Sequence, residues 1–462
     1  MDKILFSLAV VLIPFDGLKL LPGATSIGLF NMGYFYPMSI GIVLLILKRH
    51  LVIRFDKKII LGLVLFIVLG CVGICYHFFD IVAANSFNTT GLSKAFSAIF
   101  MFAFILVLNT YIYSMLIKIG ISHIIDFICK YITYGYYIVL AFAVIQLGTY
   151  SGIDLFRSIW ELIGPFINIQ HDIGRQFSRV YSVCQEPSTF CTYMAFVFPW
   201  LFFVAYKNPT YKNLFLVLSG LLLTFLSQSR LGYVVVSLEF VLLLLFISSS
   251  IKKRRLAMYI GIVLIFFTAV LIFYYDEISN FINTFLAVFQ TLDFYNEGRS
   301  TSNYTRYGTQ IAGLKMFLDY PILGVGPGQS MFYMEEYLPP WAWLSPEIQG
   351  IVQNAAMNIY NAHVKILAEY GILGVGIWAF FMVYTFVNLF KIYKREHQDY
   401  LIHQISPFIL ISLIGSIISM SNFATIIWFQ YWLIINVVAF LKNTSMITRE
   451  RLEKKLNMEK VL

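Results

Sequence analysis

Stretches of about twenty consecutive apolar residues recur along the whole chain, and no other feature limits its folding so strongly. A helix of about 20 such residues crosses a hydrocarbon core of roughly 30 Å. The stretches fall near 3–21, 31–47, 59–78, 95–117, 128–149, 188–206, 213–229, 232–250, 256–275, 364–390, 404–421 and 424–441. In lipid the backbone has no water to bond, so each span must be a helix. The expected fold class is an all-α polytopic membrane protein with about 12 transmembrane helices. Of the 462 residues, 59% are hydrophobic and only 12% charged, against about 25% charged in an average soluble domain. Disorder, collagen-like fibres and a soluble nucleic-acid binder are excluded, the last despite a net charge of +9. The first stretch is interrupted by Pro14 and Asp16 and has the length of a signal-peptide core. No small-x-small cleavage site follows it, and it is kept as a helix. Cys71, Cys75, Cys129, Cys184 and Cys191 make neither a disulfide framework nor a zinc pattern. Cys71 and Cys75, one helical turn apart, read as small packing residues.

Twelve spans put both termini on one side, and the basic residues agree. Alternate loops and the tail collect 23 of the 33 Lys and Arg, which marks that side as cytoplasmic. The outer ten are Lys19, Lys94, Arg157, Arg175, Arg179, Arg230, Arg299, Arg306, Lys315 and Lys365. Six of these are Arg, against seven of the 23 inside. Topology needs only positive charge, so the bias is either chance in a small sample or a use for the planar guanidinium fork, which suits phosphate and carboxylate. The outer side also has the only long connections. The chain therefore divides into helices over 1–149, an outer loop at 150–187, helices over 188–275, a large outer loop at 276–363, helices over 364–441 and a tail at 442–462.

Within the first outer loop, Arg175 and Arg179 share a face if the segment is helical, and two guanidiniums on one face invite an anion. Glu186 precedes Pro187, which suits a helix N-terminus. The alternative is a solvated Arg pair and a capping Glu. Arg230 follows Ser229 between two apolar runs with almost no loop. At a helix centre it would cost roughly 2.5–3.5 kcal/mol, so it either faces a protein or water-filled cavity or snorkels to the headgroups. The second outer loop carries Arg299 and Arg306, then a helical run from Thr309 to Leu318, then Pro321-Ile322-Leu323-Gly324-Val325-Gly326-Pro327-Gly328. That cluster forces a turn and permits close backbone approach. It is not a phosphate-binding loop of the Gly-Lys-Ser/Thr kind. Trp341 and Trp343 read as interface anchors, with sugar stacking as the alternative. His363 stands at the outer mouth of a long apolar helix, with Glu369 deeper. His is the commonest general base, and the plain alternative is an interfacial histidine.

The Arg-rich outer loop leading into Glu186-Pro187-Ser188, the Ser229-Arg230 pair, Pro321 to Gly328, and His363 through Gly374 resemble the O-antigen polymerase and O-antigen ligase superfamily in content and order. The resemblance covers roughly residues 175–374, and the large late outer loop fits it. It implies a GT-C-like membrane glycosyltransferase that takes a glycan from undecaprenyl pyrophosphate in the periplasmic leaflet. A polymerase would pass it to another lipid-linked repeat unit, and a ligase to the lipid A core. Ligases show a His-Asn-x-x-Leu-like stretch, whereas here the order is Asn361-Ala362-His363; the Glu-Pro-Ser element is more similar to polymerases. Polymerase is the expected activity, in the bacterial inner membrane, with a polysaccharide chain-length regulator as a partner.

The donor's pyrophosphate is already a good leaving group, so an enzyme of this kind must neutralise developing charge and position the acceptor. No Asp or His cluster with metal spacing occurs on the outer face, and the reaction is expected to need neither metal nor cofactor. Arg175, Arg179, Arg230, Arg299 and Arg306 form the pool of pyrophosphate and glycan contacts. His363 is the first candidate to activate the acceptor hydroxyl and Glu186 the second. A lipid-linked oligosaccharide flippase or other transporter is the competing class. Transporters usually carry internal repeats, and none is visible. A purely structural scaffold or sensor would not need the outer Arg bias.

Overall fold

The computed structural model of the chain describes residues 1–18, 28–47, 54–86, 89–167, 179–248, 301–353, 358–394 and 400–459. Its helices are α1 (Asp2–Val11), α2 (Phe35–Leu47), α3 (Lys57–Tyr76), α4 (Phe78–Ala83), α5 (Gly91–Ile119), α6 (Ile121–Tyr150), α7 (Asp154–Ile167) and α8 (Pro187–Lys207). They continue with α9 (Tyr211–Leu226), α10 (Arg230–Ser248), α11 (Thr301–Asp319), α12 (Met334–Tyr337), α13 (Pro346–Gln353), α14 (Ala362–Lys394), α15 (Tyr400–Ser419) and α16 (Phe429–Glu459). Among the described residues the only strands are Asn85–Ser86 and Thr89–Thr90, paired antiparallel. The protein is thus an all-α integral membrane protein. Six described helices are long and apolar enough to cross a membrane: Lys57–Tyr76, Gly91–Ile119, Ile121–Tyr150, Pro187–Lys207, Ala362–Lys394 and Leu401–Asn422. α2 and α9 are apolar but shorter, and α10 and α16 stand where spans were expected at 232–250 and 424–441. The span expected at 256–275 lies outside the described residues.

The first expected span is not one helix. α1 stops at Val11, because Pro14 lacks an N–H and its ring crowds the preceding turn. The chain beyond it pairs with the entry to α2 instead: Gly33 N–H donates to Phe15 O at 2.6 Å and Leu18 N–H to Asn31 O at 2.9 Å. Cys71 and Cys75 also differ from expectation, since both are exposed on α3 rather than packed.

α8 is the central helix. Its sequence is apolar or aromatic on every face from Phe190 to Phe203, the pattern of a helix surrounded on all sides. It is buried along nearly its whole length, packed by α6, α9, α10 and α15. It begins at Pro187, as the sequence suggests. The outermost residue of this buried helix is its N-cap, Glu186.

The described part of the second outer loop has its own small core. Ala312 and Met316 of α11, Met334, Leu338, Ala342 and Ile348 pack with Ile359 and Ala368. Trp341 and Trp343 lean on this cluster, a packing role that neither sequence reading foresaw. The Pro321–Gly328 turn docks onto α14, which breaks at Gly371 (φ 60°, ψ −159°). Val325 N–H donates to Ala368 O at 2.8 Å and Ile372 N–H to Pro321 O at 2.9 Å. A side chain at Gly324 or Gly371 would run into the facing backbone, and both have positive φ. Glu369 holds the same joint. Its carboxylate accepts Ser330 Oγ–H at 2.6 Å and Gly328 N–H at 3.1 Å. Glu369 is therefore a brace for the turn.

Candidate active site

The segment Val180–Cys184 leading to α8 is buried but not helical, so its backbone groups need partners other than water. Gln146, near the outer end of α6, supplies two: its Oε1 accepts the N–H of Tyr181 at 3.0 Å and of Ser182 at 2.9 Å. Val180 N–H donates to Leu226 O at 3.0 Å, and Ser182 Oγ–H donates to Val139 O at 2.6 Å. These bonds hold Ser182 at φ 55°, a left-handed conformation that costs a non-glycine residue about 1–3 kcal/mol.

Arg179 precedes this segment, in non-helical backbone. The helical turn considered for Arg175 and Arg179 is thus not present at Arg179, and Arg175 lies outside the described residues. The Arg179 guanidinium reaches the turn between α9 and α10, donating from Nε to Ser227 O and from Nη2 to Gln228 O, each at 3.1 Å. Gln228, whose carbonyl it holds, is the other non-glycine residue with positive φ, 49°. Burial lowers the Arg179 pKa from the usual arginine value, and Arg306 adds to that effect. Cys191, Glu186 and Tyr233 oppose it. The side chain stays a cation, set within electrostatic range of one carboxylate and of a second guanidinium.

Glu186 is half-buried. Ser188 Oγ–H donates to its Oε1, and its backbone N–H donates to Thr189 Oγ1 at 3.2 Å. The Thr189 backbone N–H faces the Glu186 side chain in return, which completes a capping box. The Glu-Pro-Ser element is therefore an N-terminal cap of α8. Arg306 lies on α11 and donates from Nη1 to Asn422 Oδ1, in the turn after α15. Neither Arg179 nor Arg306 uses all of its five N–H donors in these bonds.

Tyr360 completes the group. Its backbone N–H donates to Thr309 Oγ1 at 3.3 Å and its carbonyl accepts from Gln310 Nε2 at 3.2 Å, both on α11. Burial raises the pKa of its hydroxyl. Glu347 and Glu186 push it the same way and Arg306 opposes them, so the ring lies in the field of both Arg306 and Glu186. The structure thus sets Glu186, seven residues along the same segment, and Arg306 of α11 within electrostatic range of Arg179.

His363 sits differently. Trp378 Nε1–H donates to its Nδ1 at 3.0 Å, and an indole can only donate. That places the ring proton on Nε2, which donates to Ile417 O on α15 at 3.0 Å. In this arrangement neither ring nitrogen is free to take a proton from a substrate hydroxyl. Arg230 opens α10 and is exposed. Arg299 lies outside the described residues.

Gln146, Asp16, Tyr360 and Asn422 were missed from sequence. Polar residues inside apolar runs were the available signal for Gln146 and Asp16, and only Asp16 had been noticed, as an interruption.

An all-α membrane protein with arginines and a carboxylate gathered at one end of its central helix has the makings of an enzyme acting on an anionic, lipid-borne substrate. Residues 214–379 match the family described as O-antigen ligase, which places this part of the chain in the superfamily of O-antigen ligases and polymerases. The matched stretch runs from α9 to the middle of α14 and includes Arg230, Arg306, Tyr360 and His363. Arg179 and Glu186 lie before it. No curated protein matches the chain.

Proposed function

We propose that the chain is a polysaccharide polymerase of the bacterial inner membrane, a GT-C-like glycosyltransferase of about twelve spans with both termini in the cytoplasm. It joins undecaprenyl-pyrophosphate-linked oligosaccharide repeat units into O-antigen or a related surface polysaccharide at the periplasmic face, with a chain-length regulator as a partner. The observation that carries this reading is that Arg179, fixed on the Ser227 and Gln228 carbonyls, lies within electrostatic range of both Arg306 and Glu186. Two cations that repel one another favour an anion near both, and a pyrophosphate supplies it.

In the reaction the acceptor hydroxyl oxygen bonds to the anomeric carbon of the donor glycan. The bond from that carbon to the pyrophosphate oxygen breaks, and its electron pair leaves with undecaprenyl pyrophosphate. Arg179 and Arg306 take up the developing charge, with Arg230, Arg175 and Arg299 as the remaining contacts of the pool. The hydroxyl proton passes to the Glu186 carboxylate. His363 fastens α14 to α15 and takes no proton. Glu186→Gln should therefore lower the rate by about 10²–10⁴-fold at unchanged protein yield, and full activity in that variant sinks the assignment.

A second reading, transfer to the lipid A core, is favoured by the description of the family that residues 214–379 match. Purified protein given lipid-linked repeat units alone decides between them. A product ladder without added core means polymerase; transfer only when core is supplied means ligase.

A further inference from the structure

Asp16 lies in the irregular segment after α1 and is 5% exposed. It forms no ion pair with a basic residue among the described residues. A buried carboxyl so placed is costly, and the break in the first apolar stretch puts it where it is. The segment is held by the bonds from Gly33 to Phe15 and from Leu18 to Asn31. Next to it, Tyr34 Oη–H donates to Ile427 O at 2.8 Å. Across this frame Asp16 Oδ1 accepts the backbone N–H of Gln185 at 2.6 Å, while in the same N-cap turn the Thr189 hydroxyl donates to Glu186 O at 2.9 Å and accepts Glu186 N–H at 3.2 Å. Gln185 and Thr189 bracket Glu186. The carboxyl also lies at the start of α8, where the helix dipole favours a negative group.

We propose that Asp16 is a positioning residue for Glu186: by holding Gln185 N–H it fixes the entry to the N-cap of α8 and aims the Glu186 carboxylate at the acceptor hydroxyl. This rests on the reading of Glu186 as the proton acceptor. It gives the first segment of the chain, remote in sequence from every other site residue, a direct part in the geometry of the active site. The groups whose charges act on Asp16, or on which it acts, are Glu186, Tyr34 and Cys184. Among the described residues none of these is a cation.

The test uses the full-length protein in lipid nanodiscs with lipid-linked repeat units, measuring initial rates and thermal unfolding. Asp16→Ala removes the acceptor, and misplacing a catalytic group by about 1 Å costs up to ~10²-fold. The expected result is a fall in kcat of about 10–100-fold with KM for the donor within about twofold, as for a group acting only in the transition state. Asp16→Asn keeps an oxygen that accepts the Gln185 N–H and should recover most of kcat. A wild-type kcat in Asp16→Ala overturns the proposal, as does Asp16→Asn no better than Asp16→Ala. A rise in KM at constant kcat overturns it too, since Asp16 would then be holding the donor. Should Asp16→Ala fail to fold, Asp16→Leu carries the test, because it removes the acceptor while filling the same space; an unchanged kcat there overturns the proposal. Glu186→Gln is measured alongside. If it is fully active the role of Glu186 falls, whereas a dead Glu186→Gln with an unaffected Asp16→Ala removes only the positioning role.

Discussion

Replacing His363 separates a base from a fastener. The imidazole accepts from the Trp378 indole and donates to the Ile417 carbonyl, so His363→Ala leaves a donor and an acceptor without partners. Each orphaned group costs about 1–3 kcal/mol, which makes roughly 2–6 kcal/mol together, a large share of the 5–15 kcal/mol typical of a folded protein. His363→Gln is the informative companion. Its amide has both a donor and an acceptor and can serve both partners, though it cannot act as a base. The assay is thermal unfolding of the detergent-solubilised protein, followed by polymer formation normalised to the folded fraction. His363→Ala is expected to unfold at a clearly lower temperature and to yield less protein. His363→Gln is expected to hold most of the wild-type stability and to make polymer at close to the wild-type rate. A His363→Gln protein of wild-type stability that makes no polymer would falsify this reasoning, because only the proton chemistry of the imidazole would then be missing.

Arg179→Lys and Arg306→Lys should impair synthesis nearly as much as the Ala variants. A single ammonium on Arg179's short tether cannot span the Ser227 and Gln228 carbonyls and still face an anion as a fork does; full polymer synthesis in both Lys variants removes the phosphate-clamp role. Activity should also survive excess EDTA, as expected if arginines do the work of a divalent cation. Chelator-sensitive synthesis restored by Mg²⁺ or Mn²⁺ would show that a metal takes part.

The helical, membrane-spanning character of the chain was legible because it depends on apolar run length, which sequence displays directly. α3, α5, α6, α8, α14 and α15 all lie where the hydropathy puts them. The exception was α1, where Pro14 and Asp16 were visible but their consequence was not. Whether a proline ends a span or merely bends it depends on what the freed backbone can bond to, and here the partners are Asn31 and Gly33. Arg179, Arg306 and Glu186 stand out in the sequence because charged residues are scarce on the outer side. The hydrogen-bond partners of His363 do not, although a histidine's chemistry depends on what occupies its two nitrogens. Trp378 is fifteen residues away and Ile417 fifty-four, and nothing in the local sequence announces either.

The same reasoning explains why the site sits where it does. Catalysis by charge stabilisation works only if the charges are already in place before the substrate arrives, and outer loops are poor places to hold them. Here each charged group is tied to something rigid. Glu186 caps the most buried helix of the bundle, Arg179 is fixed by two carbonyls of the α9–α10 turn, and Arg306 is carried on α11 and bonded to Asn422. Among the described residues the two non-glycine positions with left-handed backbone, Ser182 and Gln228, both belong to this scaffold: one lies between Arg179 and Glu186, the other supplies a carbonyl to Arg179. Strain of this kind persists only where the surroundings over-determine it, and Gln146 does so for Ser182 through Oε1. Gln146 thus fixes the path from one charged residue to the other without touching either charge. A buried polar side chain in an apolar helix is accounted for by the geometry it enforces at Tyr181 and Ser182, between Arg179 and Glu186.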